Sequence, residues 1–256
     1  SGSAAFGAII CGTSIATFIN NEFVNDTSYG ILNYNTAIGS VISGNSFYFT
    51  SATTTVNWTA IYTLTPCTID GNFIGGTAAN CGSSAMTFTA NTAIFVGIYS
   101  LSSSTTDYVF ITNNTIQNIA MSGTTSLNFK GINPISGLVK VGNTSGGGNL
   151  IGHASTANSI NIGSGTAICN VYGIYSSTAP STSLCYSSNT VANITVASTY
   201  TGNAILCGIY ISVSANAVND TIANNTIKNL NTTAGHNYLV GSESVAGIYY
   251  LGSNRS

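Results

Sequence analysis

The chain has 256 residues, of which Ser, Thr, Asn and Gly supply 128, while charged residues make up 4% and the formal net charge is −2. Four dispersed cations exclude the basic footprint of a nucleic-acid binder. No apolar run approaches the ~18 residues that span a bilayer, and a 44% hydrophobic content excludes a disordered polar tract.

In chain order, one phrase returns: an Asn with an apolar residue three before it and another two after it. It reads Phe18..Asn21.Phe23, Ile42..Asn45.Phe47, Ile69..Asn72.Ile74, Ile111..Asn114.Ile116, Tyr186..Asn189.Val191 and Ile222..Asn225.Ile227. A further copy, Asn149.Ile151, keeps only the second half. Three copies extend to a second Asn and an aliphatic residue: Asn118-Ile119, Asn193-Ile194 and Asn229-Leu230.

A second landmark alternates with the first: Gly30-Ile31, Ala60-Ile61-Tyr62, Gly97-Ile98-Tyr99, Gly131-Ile132, Gly173-Ile174-Tyr175, Gly208-Ile209-Tyr210 and Gly247-Ile248-Tyr249. Successive copies lie 30, 37, 34, 42, 35 and 39 residues apart, so the period is that of a repeat architecture. Each Asn landmark follows its Gly-Ile after 12 to 18 residues, whereas the return takes 9 to 25. The constant arm is therefore expected to hold the packed strands and the variable arm to be loop.

The segments are short, rich in Ile, Val, Thr, Phe and Tyr, and alternate at period two, as in Ile205-Leu-Cys-Gly-Ile-Tyr-Ile211. With Glu present twice, Gln once and no 3.6-residue stripe, the chain reads as all-β. A β-solenoid and a β-propeller both accept about seven units of roughly 36 residues. Propeller hairpins call for Asn-Gly or Asp-Gly turns, and 31 Asn yield no Asn-Gly, with Asp70-Gly71 the one Asp-Gly. The parallel β-helix is the favoured reading. Its coils stack about 4.8 Å apart, which lets Asn21, Asn45, Asn72, Asn114, Asn149, Asn189 and Asn225 form one internal ladder of amides.

The phrases Ile111-Thr-Asn-Asn-Thr-Ile-Gln-Asn-Ile119, Val191-Ala-Asn-Ile-Thr195 and Asn224-Asn-Thr-Ile-Lys-Asn-Leu230 resemble right-handed parallel β-helix repeat proteins. They are most similar to the large secreted surface proteins of Bacteroidetes-type bacteria. That resemblance implies a fold and an extracellular or cell-surface location, and it spans activities from polysaccharide lyases to adhesins and stalks. Residues 1–256 are expected to be one β-helix domain. The apolar opening Ala4-Ala-Phe-Gly-Ala-Ile-Ile10 and the closing strand at Leu251 look uncapped, whereas solenoids cap their terminal coils. A segment of a longer solenoid, or a subunit stacking end to end, is therefore expected, with self-association or neighbouring β-helix segments as partners.

Six carboxylates spread from Glu22 to Glu243 give no adjacent pair for acid–base work, and His153 and His236 stand far from each other and from any Cys. No catalysis, metal or cofactor is expected. A structural or adhesive role follows, with carbohydrate binding or polysaccharide degradation as the alternative and surface glycans as its partner. Cys67–Cys81 and Cys169–Cys185 are candidate disulfides, each closing a modest loop. Tyr62, Tyr99, Tyr175, Tyr210 and Tyr249 follow the Gly-Ile pairs and form a candidate exposed aromatic row. Asn25, Asn57, Asn143, Asn193, Asn219 and Asn231 are candidate N-glycosylation sites, and Thr221 in Asp220-Thr-Ile222 is a candidate O-glycosylation site.

Overall fold

The computed structural model describes residues 6–145, 147–163, 165–176, 185–198, 205–213, 221–233 and 245–252, without the side chains of residues 6, 8–11, 213 and 252. The chain winds as a right-handed parallel β-helix with three parallel sheets. Among the described residues every regular element is a strand, and no helix is long and apolar enough to cross a membrane.

The first sheet takes one strand from each turn in chain order: Phe6–Gly12, Tyr29–Asn35, Asn57–Thr63, Thr92–Leu101, Ser126–Ser136, Ile168–Ser176, Ile205–Val213 and Val245–Gly252. The second stacks Thr17–Ile19, Ser40–Ser43, Cys67–Asp70, Tyr108–Thr112, Leu138–Gly142, Cys185–Ser187 and Thr221–Ala223. The third begins as two ladders. One runs from Glu22–Val24 to Leu150–Ile151 and the other from Met86–Phe88 to Ile160–Ile162; both join Thr190–Val196, which pairs onward with Thr226–Thr232.

In-register stacking turns each sequence landmark into a row of core side chains. Ile31, Ile61, Ile98, Ile132, Ile174 and Ile209 pair in succession and are fully buried. The apolar residues on either side of the ladder Asn make two further rows. Ile42, Ile69, Ile111, Val141 and Tyr186 face in from the second sheet. Phe47, Ile74, Ile116, Ile151 and Val191 face in from the third. Each such side chain contributes about 1.5–3 kcal/mol by leaving water. Gly97 marks the corner within its long strand: Val96 and Ile98 pair across to Lys130 and Ile132 while Gly97 is skipped. A Cβ there would stand 2.5 Å from the Gly131 carbonyl oxygen of the next turn.

Between the second and third sheets the chain must bend, and the asparagines satisfy what the bend leaves open. Asn114 shows the pattern. Its Nδ2 donates to Asn149 Oδ1 (2.9 Å) on the next turn and to the Ile69 carbonyl (2.9 Å) on the preceding one. Its Oδ1 accepts from Asn72 Nδ2 (2.9 Å) and from the Asn72 backbone N–H (3.0 Å). The amide-to-amide bond repeats from Asn21 to Asn45, Asn72, Asn114, Asn149, Asn189 and Asn225 at 2.9–3.0 Å. Asn149 takes its rung although its copy of the phrase is incomplete.

The residue before the ladder Asn is left-handed in most turns: Asn20, Gly44, Gly71, Asn113, Ser188 and Asn224 have φ between 56 and 66° or, for Asn113, 55°. Gly and Asn adopt that conformation at least cost, which is why the phrase reads Asn-Asn or Gly-Asn in all of these turns but Ser188-Asn189. Asp70-Gly71 is thus a coil corner.

One expectation is corrected. The variable return arm holds the third sheet's inner strands Met86–Phe88, Ile119–Met121 and Ile160–Ile162, whose side chains Met86, Phe88, Ile119, Met121, Ile160 and Ile162 are buried core. Its length varies because irregular excursions precede or follow those strands. From Met86–Phe88 onward the strands themselves are retained.

Replacing Asn114 by Ala leaves the Asn72 amide, the Asn72 backbone N–H and the Asn149 amide oxygen short of partners inside the core. At about 1–3 kcal/mol per stranded buried group, Asn114→Ala is expected to lower unfolding free energy by about 4 kcal/mol in urea titration. The exposed end rung, Asn21→Ala, is expected to cost about 1 kcal/mol or less.

Candidate functional site

Since the interior is occupied by core and ladder, chemistry is confined to outward-facing side chains and turns. The tyrosine row on the outer face of the first sheet is half-buried and broken into two stacks. Tyr62 and Tyr99 stack at 4.8 Å and 8°. Tyr175, Tyr210 and Tyr249 stack at 5.1 Å with angles of 14° and 9°. Asn133, which pairs with Tyr99, interrupts them, and Lys130 Nζ lies 4.2 Å from the centroid of Tyr175. Tyr29 packs edge-on against Tyr62, and Tyr172 against Tyr210. Sugar rings stack on aromatic faces, and these faces cover one another. Burial pushes the phenols of Tyr62, Tyr99 and Tyr210 up and the Lys130 ammonium down. The row shields the sheet and presents mainly ring edges to solvent.

The two expected disulfides are not formed; Cys67, Cys81, Cys169 and Cys185 are free thiols, as is Cys207. Their positions explain this. Cys67 begins a second-sheet strand and donates to Thr63 Oγ1, whereas Cys81 lies in the turn before Met86–Phe88, near the Thr115 carbonyl. Cys169 faces the core of the first sheet, while Cys185 stacks between Lys140 and Thr221 on the outer face of the second. Burial pushes the thiols of Cys67 and Cys169 up to about 11 and those of Cys81 and Cys207 up to about 12, which keeps them protonated and unreactive.

Among the candidate glycosylation positions, Asn25, Asn57, Asn143, Asn231 and Thr221 are exposed, and Asn219 lies outside the described residues. Asn193 is corrected. It is 2% exposed, its Nδ2 donates to the His153 carbonyl (2.6 Å), and its Oδ1 accepts from Asn229 Nδ2 (3.0 Å). The amide nitrogen a glycan would need is inside the coil, at a second left-handed corner shared by Asn118, Asn193 and Asn229.

Apart from Glu22 and Asp26, which border one depression, the described carboxylates stand apart. Asp70 accepts from Thr112 (2.7 Å) and Asn113 (2.8 Å), Asp107 from Thr106 (2.7 Å), and Glu22 from the Tyr48 hydroxyl (2.6 Å). His153 accepts the Thr156 backbone N–H (2.8 Å) in its own turn, and His236 lies outside the described residues. Among the described residues no three His, Cys, Asp or Glu side chains gather to hold a metal ion.

No family profile, curated protein or solved structure matches the chain. Its physical features therefore carry the functional reading.

One carboxyl group departs from the others. Asp26 follows the left-handed Asn25, the place held by Ile119, Ile194 and Leu230 after Asn118, Asn193 and Asn229. It borders an open depression of about 350 Å³ with Phe18, Asn21 and Phe23, and its Oδ2 is buried without a hydrogen-bond partner. Desolvation by that burial raises its carboxyl to about 6, from 3.8.

Because the folded value lies above the unfolded one, the protonated carboxyl stabilises the fold below pH ~4, and that stability is lost as pH rises through about 6. Allowing for solvent screening at a half-exposed site, the loss is about 1 kcal/mol. Asp26→Asn is expected to be more stable than the parent at pH 7.5 and to flatten the pH 4–6.5 segment of its urea-unfolding stability curve. An unchanged pH profile in the variant would show that Asp26 is not the titrating group.

Proposed function

We propose that the chain is an extracellular structural and adhesive repeat module, a segment of a surface stalk, coat or filament, and that it has no catalytic role. The observation that carries this reading is the unbroken amide ladder from Asn21 to Asn225. It ties all the coils it crosses into one stiff rod and is built from residues that do no chemistry. Eight first-sheet strands at the ~4.8 Å spacing make that rod about 34 Å long. Its Ser, Thr and Asn surface is hydrated without charge, and near-zero net charge favours association. The likeness of the Asn-Asn-Thr-Ile phrases to secreted surface proteins of Bacteroidetes-type bacteria supports placement outside the cell.

For assembly, the last described coil offers a core row. Ile248 is 47% exposed, whereas its registered neighbour Ile209 is fully buried. A further coil, from a neighbouring β-helix segment or the end of a second copy, is the partner proposed for that face, by a contact that propagates without closing.

Negative-stain electron microscopy and light scattering test the assembly. Rods that lengthen with concentration, and that shorten to single units in Ile248→Lys, are expected. Particles that stay monomeric at every concentration would contradict end-to-end stacking, and release of reducing ends from a polysaccharide by the purified chain would contradict the non-catalytic role.

A further inference from the structure

On the outer face of the second sheet, away from both ends of the rod, one aromatic cluster is arranged differently from the tyrosine stacks. Phe110 is 39% exposed and stands in register between Thr68 on the preceding turn and Lys140 on the next. Tyr108 lies beside it, ring centroids 5.8 Å apart and planes at 38°. Lys140 Nζ sits 4.4 Å from the Tyr108 centroid and 5.6 Å from that of Phe110. On the Thr68 side no aromatic rung follows. The space is instead a cleft of about 150 Å³, lined by Phe110, Tyr108, Asp107 and Thr68 and faced by Ile38 and Pro66.

We propose that this cleft is a subsite for one neutral hexopyranose ring of a surface polysaccharide. A pyranose has an apolar C–H face and a rim of hydroxyl groups, so it needs an uncovered aromatic wall with polar groups at its edge. Phe110 and Tyr108 supply the wall. The Asp107 carboxylate accepts sugar hydroxyls at the mouth, and the Thr68 hydroxyl both donates and accepts. The volume is about half the ~300 Å³ lower bound for drug-sized ligands, which suits a single ring. The same Asp107 carboxylate repels a uronate, and the Lys140 ammonium that would attract one is held over the two rings. Specificity for uncharged sugars follows.

The inference rests on the adhesive part of the proposed function, and its test is separate: a rod that assembles yet binds no sugar overturns the subsite alone. Saturation-transfer NMR on the full chain with cellohexaose, chitohexaose and hexagalacturonate decides it. At least one of the two neutral hexamers is expected to bind with a dissociation constant on the order of 1 mM, as fits one buried ring, and hexagalacturonate at least tenfold more weakly. Phe110→Ala is expected to abolish binding with its thermal midpoint unchanged, while Tyr249→Ala binds as the parent does. Failure of both neutral hexamers to bind, equal binding of hexagalacturonate, or undiminished binding by Phe110→Ala would each overturn the proposal.

Discussion

A primary amide can occupy the inside of a protein only if both of its N–H groups and its oxygen find partners, and in this chain the partners are copies of itself. Asn72, Asn114, Asn149 and Asn189 each donate to the next amide and to a backbone carbonyl of the preceding turn. No rung is satisfied unless its neighbours are in register. The ladder therefore fixes the stacking that places Ile on Ile and Phe on Phe, and hydrophobic burial supplies the bulk of the stabilisation once that register exists.

Register also explains what the sequence made legible. A residue that recurs because it must contact its own copy leaves a trace that needs no alignment, and the Asn phrase and the Gly-Ile pairs map onto the ladder and three core rows. Asn149 kept its rung without the first apolar residue of the phrase because the amide bonds depend on the backbone position rather than on that neighbour. Of the inner strands of the third sheet, Ile119 keeps the offset from the ladder that Ile194 and Leu230 share, whereas Met86 and Ile160 were hidden because excursions of differing length precede them. The cysteine pairings failed for a related reason. Spacing along the chain brings two residues to the same turn but does not say which face of a sheet each takes, and Cys169 faces in where Cys185 faces out. Asn193 was a candidate sequon on its Asn-Ile-Thr triplet alone, yet the left-handed corner within its strand turns its amide inward.

With the interior committed to register, the outer faces are free to differ from turn to turn. The tyrosines of the first sheet close on one another and protect the backbone beneath them. Phe110 and Tyr108 on the second sheet leave one side uncovered. Asp26 places a carboxyl where later turns carry aliphatic side chains. A scaffold held together by uncharged side chains tolerates such local departures, since none of them disturbs the ladder.

The most direct measure of that central claim is hydrogen exchange of the asparagine side-chain amides, followed by NMR. The account predicts that the NH2 groups of Asn72, Asn114 and Asn149 exchange only through global unfolding, at the rate of the backbone amides of Ile98 and Ile132. Exchange of those NH2 groups as fast as that of the exposed Asn143 would contradict it.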